Sequence, residues 1–187
     1  MKRPPDPRWK VLRERTVYHA TPWIRVSLQK LRLPDGRRVP SYHKVELPDY
    51  AVIVASTRDG RILFERQYKH GLGAVALFLP GGLIARGEKP LVAARRELFE
   101  ETGYKASRWK SLGAFVCNSN YGCGRAHFFV ATGARKVADP NSGDLEEMEI
   151  LFLTRSRAAA ALRNGKIRVV SAALGLSLAL QCGTSAG

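Results

Sequence analysis

At 187 residues the chain is long enough to bury a real core and matches the size of one ordinary domain. Its composition, 45% hydrophobic and 25% charged, is that of a soluble globular protein and argues against a disordered or membrane-embedded class. The charge is the unusual part: 31 Lys and Arg against 16 Asp and Glu give a formal net charge of +15, a field that attracts nucleotides, nucleic acid or acidic lipid.

The Pro-rich, basic residues 1–8 read as a frayed tail, and "MKRPPDPRWK" has no apolar segment of the kind a secretory signal carries. "WIRVSLQKLRL" (Trp23–Leu33) alternates apolar and polar residues, as a strand does. "PDGR" then supplies a turn and "VPSYHKVEL" the second arm of a hairpin. Three further strands are expected in "AVIVAST", "RILFERQYK" and "AVALFLP", the last running straight into Gly81-Gly82. A helix follows. Pro90 suits its first turn, where a missing N–H costs nothing, and Gly103 suits its C-terminal stop. Leu91, Ala94 and Leu98 recur at helical spacing as its core stripe. "SLGAFVC" and "RAHFFVAT" read as two strands around a polar loop, "NSNYGCG", and "MEILFLT" as the final strand. Thr154 is placed to cap "RSRAAAALRNG", and "VVSAALGLSLAL" closes the chain as a buried helix too short to span a bilayer. Strands with a few helices and no regular βα alternation point to an α+β or sandwich-like fold. The expected organisation is a single domain over residues 9–182, with N-terminal strands in 9–48, a core in 49–182 and a short tail at 183–187.

The three cysteines, an odd count without a CxxC pair, argue against a disulfide scaffold and a Cys-type zinc site, and the four histidines offer no metal-ligand spacing. The expected setting is a reducing cytoplasm. Many arginines are scattered (Arg25, Arg32, Arg61, Arg108), so the positive charge fits a general solubility effect as well as a binding patch.

One stretch stands against that positive field. "RELFEE", Arg96–Glu101, carries three glutamates, and residues three and four apart on a helix are neighbours, so Glu97, Glu100 and Glu101 share a face at the edge of the core stripe. Packed carboxylates repel unless something neutralises them. Mg²⁺ does so with oxygen ligands, favouring one or two carboxylates plus substrate phosphates. The other reading is a solvated helix whose Arg95 and Arg96 pair with the acids. The wider spacing decides between them. Gly82, five residues, Glu88, seven residues, then Arg96-Glu97-Leu98-x-Glu100-Glu101-x-Gly103-Tyr104 resembles the Nudix box at every specified position. Average residue usage puts a chance match on the order of 10⁻⁹ per starting position.

The resemblance to the Nudix family implies an α/β/α sandwich around a mixed β-sheet, here with an N-terminal β-hairpin extension. It implies hydrolysis of a nucleoside diphosphate linked to another moiety, with Mg²⁺ or Mn²⁺ as cofactor. Carried over by position, Glu97, Glu100 and Glu101 are the metal-ligand carboxylates, with the Gly81 carbonyl as a further ligand. Glu88 and Arg96 are the pair that orients loop and helix, and Glu101 is expected to be essential for turnover. Beyond the box, "RILFERQYKHG" and "LFLPGGLIARGE" resemble the ADP-ribose and sugar-nucleotide pyrophosphatase branch. In that branch N-terminal strands commonly build a homodimer, and an acidic loop before the last strand often supplies the catalytic base. "GDLEEMEI" offers Asp144, Glu146 and Glu147 there, Glu146 being preferred.

The pattern is broken after the box. Where many ADP-ribose hydrolases carry a proline and then a glutamate, this chain reads "CNSNYGCGRAHFF", with Gly124-Arg125 in place of an acid. Candidate substrate contacts are Arg125 and the strand cations Arg66 and Lys69 for phosphate, with Tyr121 and Trp23 as stacking partners for a base. Dinucleotides and capped RNA stay open as substrates beside nucleotide sugars. A nucleotide- or RNA-binding module without turnover is the alternative from another class, motivated by the +15 balance.

Overall fold

A computed structural model describes residues 6–141, 143 and 147–182, and its contacts divide the chain into two compact units. The first comprises the residues up to Pro48 together with Val116–Arg125; the second comprises Asp49–Phe115 and the residues from Ala126 onward. The membership of Val116–Arg125 in the first unit has no sequence signal.

The first unit is built on an antiparallel sheet in the order β1 (Lys10–Ala20), β2 (Ile24–Arg32), β3 (Arg38–Glu46). β2 and β3 are the expected hairpin, with Gly36 at φ +87° taking the left-handed position of its turn. Ser27, Gln29 and Leu31, alternate residues of β2, form its buried side. β1 is an addition to the sequence reading. Register shifts between Val11 and Arg13 and between Thr16 and Tyr18 reset its alternation, so no two-residue period survives in the sequence. The loop at 117–124 is tied to β3 by the Tyr42 hydroxyl, which donates to the Asn120 carbonyl, and by the Val45 N–H donating to Tyr121 O at 2.9 Å.

The second unit centres on a mixed seven-stranded sheet. Its strands are β4 (Tyr50–Thr57), β5 (Ile62–Lys69), β6 (Ala74–Phe78), β7 (Tyr104–Lys105), β8 (Arg108–Val116), β9 (Arg125–Lys136) and β10 (Met148–Leu153). The order is β10-β5-β4-β9-β7, with β6 beside β5 and β8 beside β9; β4 and β9 run parallel. The run 51–55 of "AVIVAST" is apolar and buried because β4 is covered on both faces there. Ala51, Ile53 and Ala55 pack with Ala94 and Leu98 of α1 (Pro90–Thr102). Val52 and Val54 pack with Ala158 and Ala161 of α2 (Arg155–Arg163) and with Ala172 and Leu176 of α3 (Val170–Gln181). This is the α/β/α sandwich expected, with the box helix on one face of the core and α2 and α3 on the other.

Local chemistry sets the ends of these helices. Pro90 opens α1, and Gly103 closes it in the left-handed conformation at φ +72°, its N–H donating to Phe99 O at 2.8 Å. Thr154 caps α2, its Oγ1 accepting from the Arg157 N–H at 3.3 Å. α3 presses onto the sheet through Gly175, where a Cβ would lie 3.1 Å from the Phe128 ring. Among the described residues no helix is long and apolar enough to cross a membrane.

Candidate active site

The segment after β6 is stitched to the edge of β4. Ile53 N–H donates to Pro80 O at 2.8 Å and Ala51 N–H to Gly82 O at 2.9 Å, so Gly81 and Gly82 lie against the strand beneath α1. There is no room for side chains. A Cβ on Gly81 would sit 2.1 Å from the Ala51 carbonyl oxygen, and one on Gly82 would sit 2.5 Å from the Glu97 carboxyl carbon. The glycine pair therefore lets backbone approach a carboxylate as closely as bond geometry allows.

Helical spacing delivers the acids to that backbone. Glu101 is buried, 7% exposed, and its Oε2 accepts the Gly81 N–H at 2.8 Å. The Glu97 side chain is 13% exposed and takes the Arg96 Nη1 at 2.7 Å, while Glu100, more open, takes the same nitrogen at 3.1 Å. Arg96 also grips Glu88 with both nitrogen edges, Nε to Oε1 at 3.0 Å and Nη2 to Oε2 at 2.9 Å, and donates to Leu83 O at 3.0 Å. Glu88 in turn accepts the Ala85 N–H at 3.0 Å. One guanidinium thus pins the loop through Leu83, Ala85 and Glu88 to the helix that carries Glu97 and Glu100. The hydrogen bonds from Arg96 hold the Glu88 carboxyl below its ordinary range, with the Ala85 N–H adding to the effect. The same contacts, Glu88 first, raise Arg96 above its ordinary value.

Among the described residues, no three His, Cys, Asp or Glu side chains converge into a finished metal cage. The reason is visible in the partners: Glu97 and Glu100 turn to Arg96, and Glu101 to the Gly81 amide. The donor set still fits a hard cation. It is all oxygen, three carboxylates beside a glycine backbone, the donor chemistry that suits hard divalent cations. The space a Gly82 side chain would fill keeps that backbone open to the Glu97 carboxylate.

A small cavity of about 110 Å³ adjoins Glu101 and Gly81. Glu65, Gln67 and Lys69 line it from β5, alternate residues on the face that Leu63 turns toward α1. Gln67 Nε2 donates to Glu65 Oε2 at 3.3 Å, and Gln67 Oε1 is a buried acceptor with no hydrogen-bond partner among the described residues. The signal for this row lay in "LFERQYK": a glutamate, a glutamine and a lysine at alternate positions after the apolar start of the strand. Close by on the sheet, His127 and Asp49 pair at 3.3 Å, an ion-pair geometry that no spacing in the sequence indicates.

The remaining candidates divide. Lys69 is at the cavity. Arg66 is not: the alternation of β5 turns it to the opposite face, where it pairs with Glu149 of β10 through Nε to Oε2 at 2.7 Å. Trp23, Tyr121 and Arg125 all belong to the first unit; Trp23 sits exposed in the turn between β1 and β2, and Tyr121 exposed in the loop at 117–124. Glu146 and Asp144 lie outside the described residues, while Glu147 is exposed just before β10.

Comparison with known proteins agrees with this geometry. Residues 47–172 match the model of the NUDIX domain, and residues 9–45 match that of the nucleoside diphosphate sugar hydrolase N-terminal domain. The chain is 32% identical over 176 residues to a CMP-5'-(N-acetyl-N-hydroxy-3-aminopropyl)phosphonate hydrolase of Streptomyces rubellomurinus, covering 94% of this chain and 84% of that protein. It is 27% identical over 132 residues to an ADP-ribose pyrophosphatase of Bacillus subtilis, covering 70% and 71% respectively. A crystal structure of an ADP compounds hydrolase superposes with a TM-score of 0.82 over 93% of each chain, at 21% sequence identity, a likeness of fold.

Proposed function

The chain belongs to the Nudix family of hydrolases, and on that premise we propose that it cleaves the pyrophosphate bond of a nucleoside diphosphate linked to a sugar, ADP-ribose or another nucleotide sugar, with Mg²⁺ or Mn²⁺. The observation that carries this reading is the packing of Glu97 and Glu101 against the Gly81–Gly82 backbone, under the Arg96–Glu88 clamp. The nucleotide-sugar class is supported by the match of residues 9–45 and by relatives named ADP-ribose and ADP-sugar pyrophosphatases.

Glu97, Glu100, Glu101 and the Gly81 carbonyl would hold the cation, which when bound supplies Lewis-acid polarisation of phosphoryl oxygen and neutralises charge on the leaving phosphate. The protein's own groups do the rest. Arg96 and Glu88 act by position, keeping the glycine loop and α1 in register. Lys69 attracts a phosphate into the cavity beside Glu101, and Gln67 Oε1 accepts a hydrogen bond from a substrate hydroxyl there. Water attacks phosphorus, the bridging P–O bond breaks, and the water's proton passes to a carboxylate. Glu101 and Glu146 are the two candidates for that acceptor. The variants Glu101→Gln and Glu146→Gln separate them: each should keep the fold, and the true base should lose turnover by orders of magnitude.

A second reading shares the bond and changes the leaving half. The Streptomyces relative, which covers 94% of the chain, acts, by its name, on a CMP-linked phosphonate, and the loop "NSNYGCGR" lacks the acid common in ADP-ribose hydrolases. The deciding experiment is product formation from ADP-ribose, other nucleotide sugars, a CMP-linked phosphonate, dinucleotides and nucleoside triphosphates, each with Mg²⁺, Mn²⁺ or a chelator. Chelator-sensitive release of a nucleoside monophosphate from one class fixes the substrate. Turnover unaffected by chelator, or no turnover on any, sinks the proposal.

We also assign β1 to a homodimer interface. All but the last of its 11 residues are exposed, including Val11, Leu12, Val17 and Tyr18. A long edge strand of that character demands a partner or a defence against pairing.

A further inference from the structure

The second unit contains a larger cavity than the one beside Glu101, and the two share no lining residue. It measures about 500 Å³, within the range of small-molecule sites. Its floor is apolar: Val54 of β4, Ile62 of β5 and Val130 of β9, with Val54 and Ile62 almost wholly buried. Its roof is the end of α3, where Ala179 supplies only a methyl group. At the helix's middle, Gly175 brings α3 close against Phe128 and Leu79. Toward Ala179 the side chains are too small to fill the space above the valines.

The polar lining has one sign. Arg108, Lys110 and Arg155 border the cavity, and no Asp or Glu does so among the described residues. Arg155 is oriented, since its Nη2 donates to the Leu180 carbonyl and ties the start of α2 to the last turn of α3. Ser56 and Thr132 add hydroxyls at the sheet. An apolar pocket edged by cations alone suits a ligand with an apolar body and an anionic head. The body would release ordered water from the floor, and the head would meet charge-assisted donors at the rim. A neutral apolar molecule would leave the rim unused, and free phosphate would leave the floor empty.

We propose that this cavity is a binding site for an amphiphilic anion, an acyl chain or comparable apolar body carrying a single carboxylate or phosphate. It is separate from the Glu97–Glu101 site. The test is calorimetric titration of the full chain with decanoate, decyl phosphate, decanol and inorganic phosphate, the first two separating a carboxylate from a phosphate head. Decanoate or decyl phosphate should bind with a negative heat-capacity change, at least tenfold more tightly than decanol, and inorganic phosphate alone should not compete. Ala179→Leu should abolish binding by filling the roof. The double variant Arg108→Gln, Arg155→Gln should weaken the anions at least tenfold and leave decanol unchanged. Both variants should retain hydrolytic activity and a cooperative unfolding transition, the Arg variant losing only the stability of the Arg155–Leu180 tie, and the Arg variant alone suffices if Ala179→Leu does not fold. Equal affinity for decanol and the anions would overturn the proposal. So would undiminished binding in both variants, or binding that arises only after removal of residues 183–187, which would give the cavity to the chain's own segment.

Discussion

Replacing Gly82 by alanine tests the site geometry with a single methyl group. The new Cβ would lie 2.5 Å from the Glu97 carboxyl carbon and Oε2 and 2.6 Å from Oε1. Carbon atoms rest at about 3.5–4.0 Å, so the carboxylate must retreat by roughly 1 Å. What moves is the end of a flexible side chain, at a cost of about 0.5–1.5 kcal/mol for an off-rotamer Glu97. Loss of a glycine from the unfolded chain returns about 0.4–1 kcal/mol, so net stability should barely change. Function has no such compensation, because a displacement of about 1 Å at a catalytic group costs on the order of 10²-fold in rate. Gly81→Ala is the contrast. Its Cβ would meet the Ala51 carbonyl oxygen at 2.1 Å, and that oxygen belongs to the backbone of β4, so the sheet itself must shift. Turnover on the substrate found in the panel, measured beside thermal unfolding, should show Gly82→Ala inactive and stable and Gly81→Ala destabilised. Gly82→Ala with turnover within threefold of the parent would falsify the claim that contact between loop and Glu97 sets the site.

Arg96→Lys keeps the charge but cannot span Glu88, Glu97 and Leu83 at once, so turnover should fall at least tenfold, with lowered stability; steady-state kinetics and a melting curve check both. The depressed Glu88 carboxyl makes its contribution pH-dependent. Stability from the pair is present in full above the ordinary value of 4.5 and is lost as pH falls through the lower folded-state value. Glu88→Gln should remove that part of the acid sensitivity and cost about 1–2 kcal/mol at neutral pH, discounted because Arg96 is one-third exposed. Parallel melting curves of parent and variant across the acid range that run with unchanged spacing would refute it. For the dimer, Leu12→Lys with Val17→Lys should yield a monomer by light scattering at micromolar concentration; a parent already monomeric removes the assignment.

What the sequence disclosed of this molecule follows from how local each cause is. Pro90, Gly103 and Thr154 act on the residues beside them, so α1 begins and ends, and α2 begins, where those residues place them. The box is legible because a helix fixes which of its residues are neighbours. β1 is hidden because two bulges interrupt its alternation and because both its faces carry exposed residues. The Glu65–Gln67–Lys69 row was open to a strict two-residue reading of β5. The same reading turns Arg66 away toward Glu149, so of two adjacent-looking cations only Lys69 reaches the cavity. The His127–Asp49 pair joins positions 78 residues apart through the parallel pairing of β4 and β9, and nothing local announces it.

The acidic cluster in a basic chain is resolved by counting partners at the site. Arg96 faces Glu88, Glu97 and Glu100, and Glu101 rests on a neutral amide. With all four carboxylates ionised, Arg96 beside them and Lys69 at the adjoining cavity do not balance the negative charge, a concentration that repels a pyrophosphate and attracts a divalent cation. Around it the chain carries a formal +15, which draws the anionic substrate in from solution. The two fields act at different ranges: the diffuse one is screened beyond about 8–10 Å at physiological salt, and the local one operates at hydrogen-bond distance. Raising ionic strength should therefore slow substrate capture, seen in kcat/KM, while leaving kcat at saturation nearly constant.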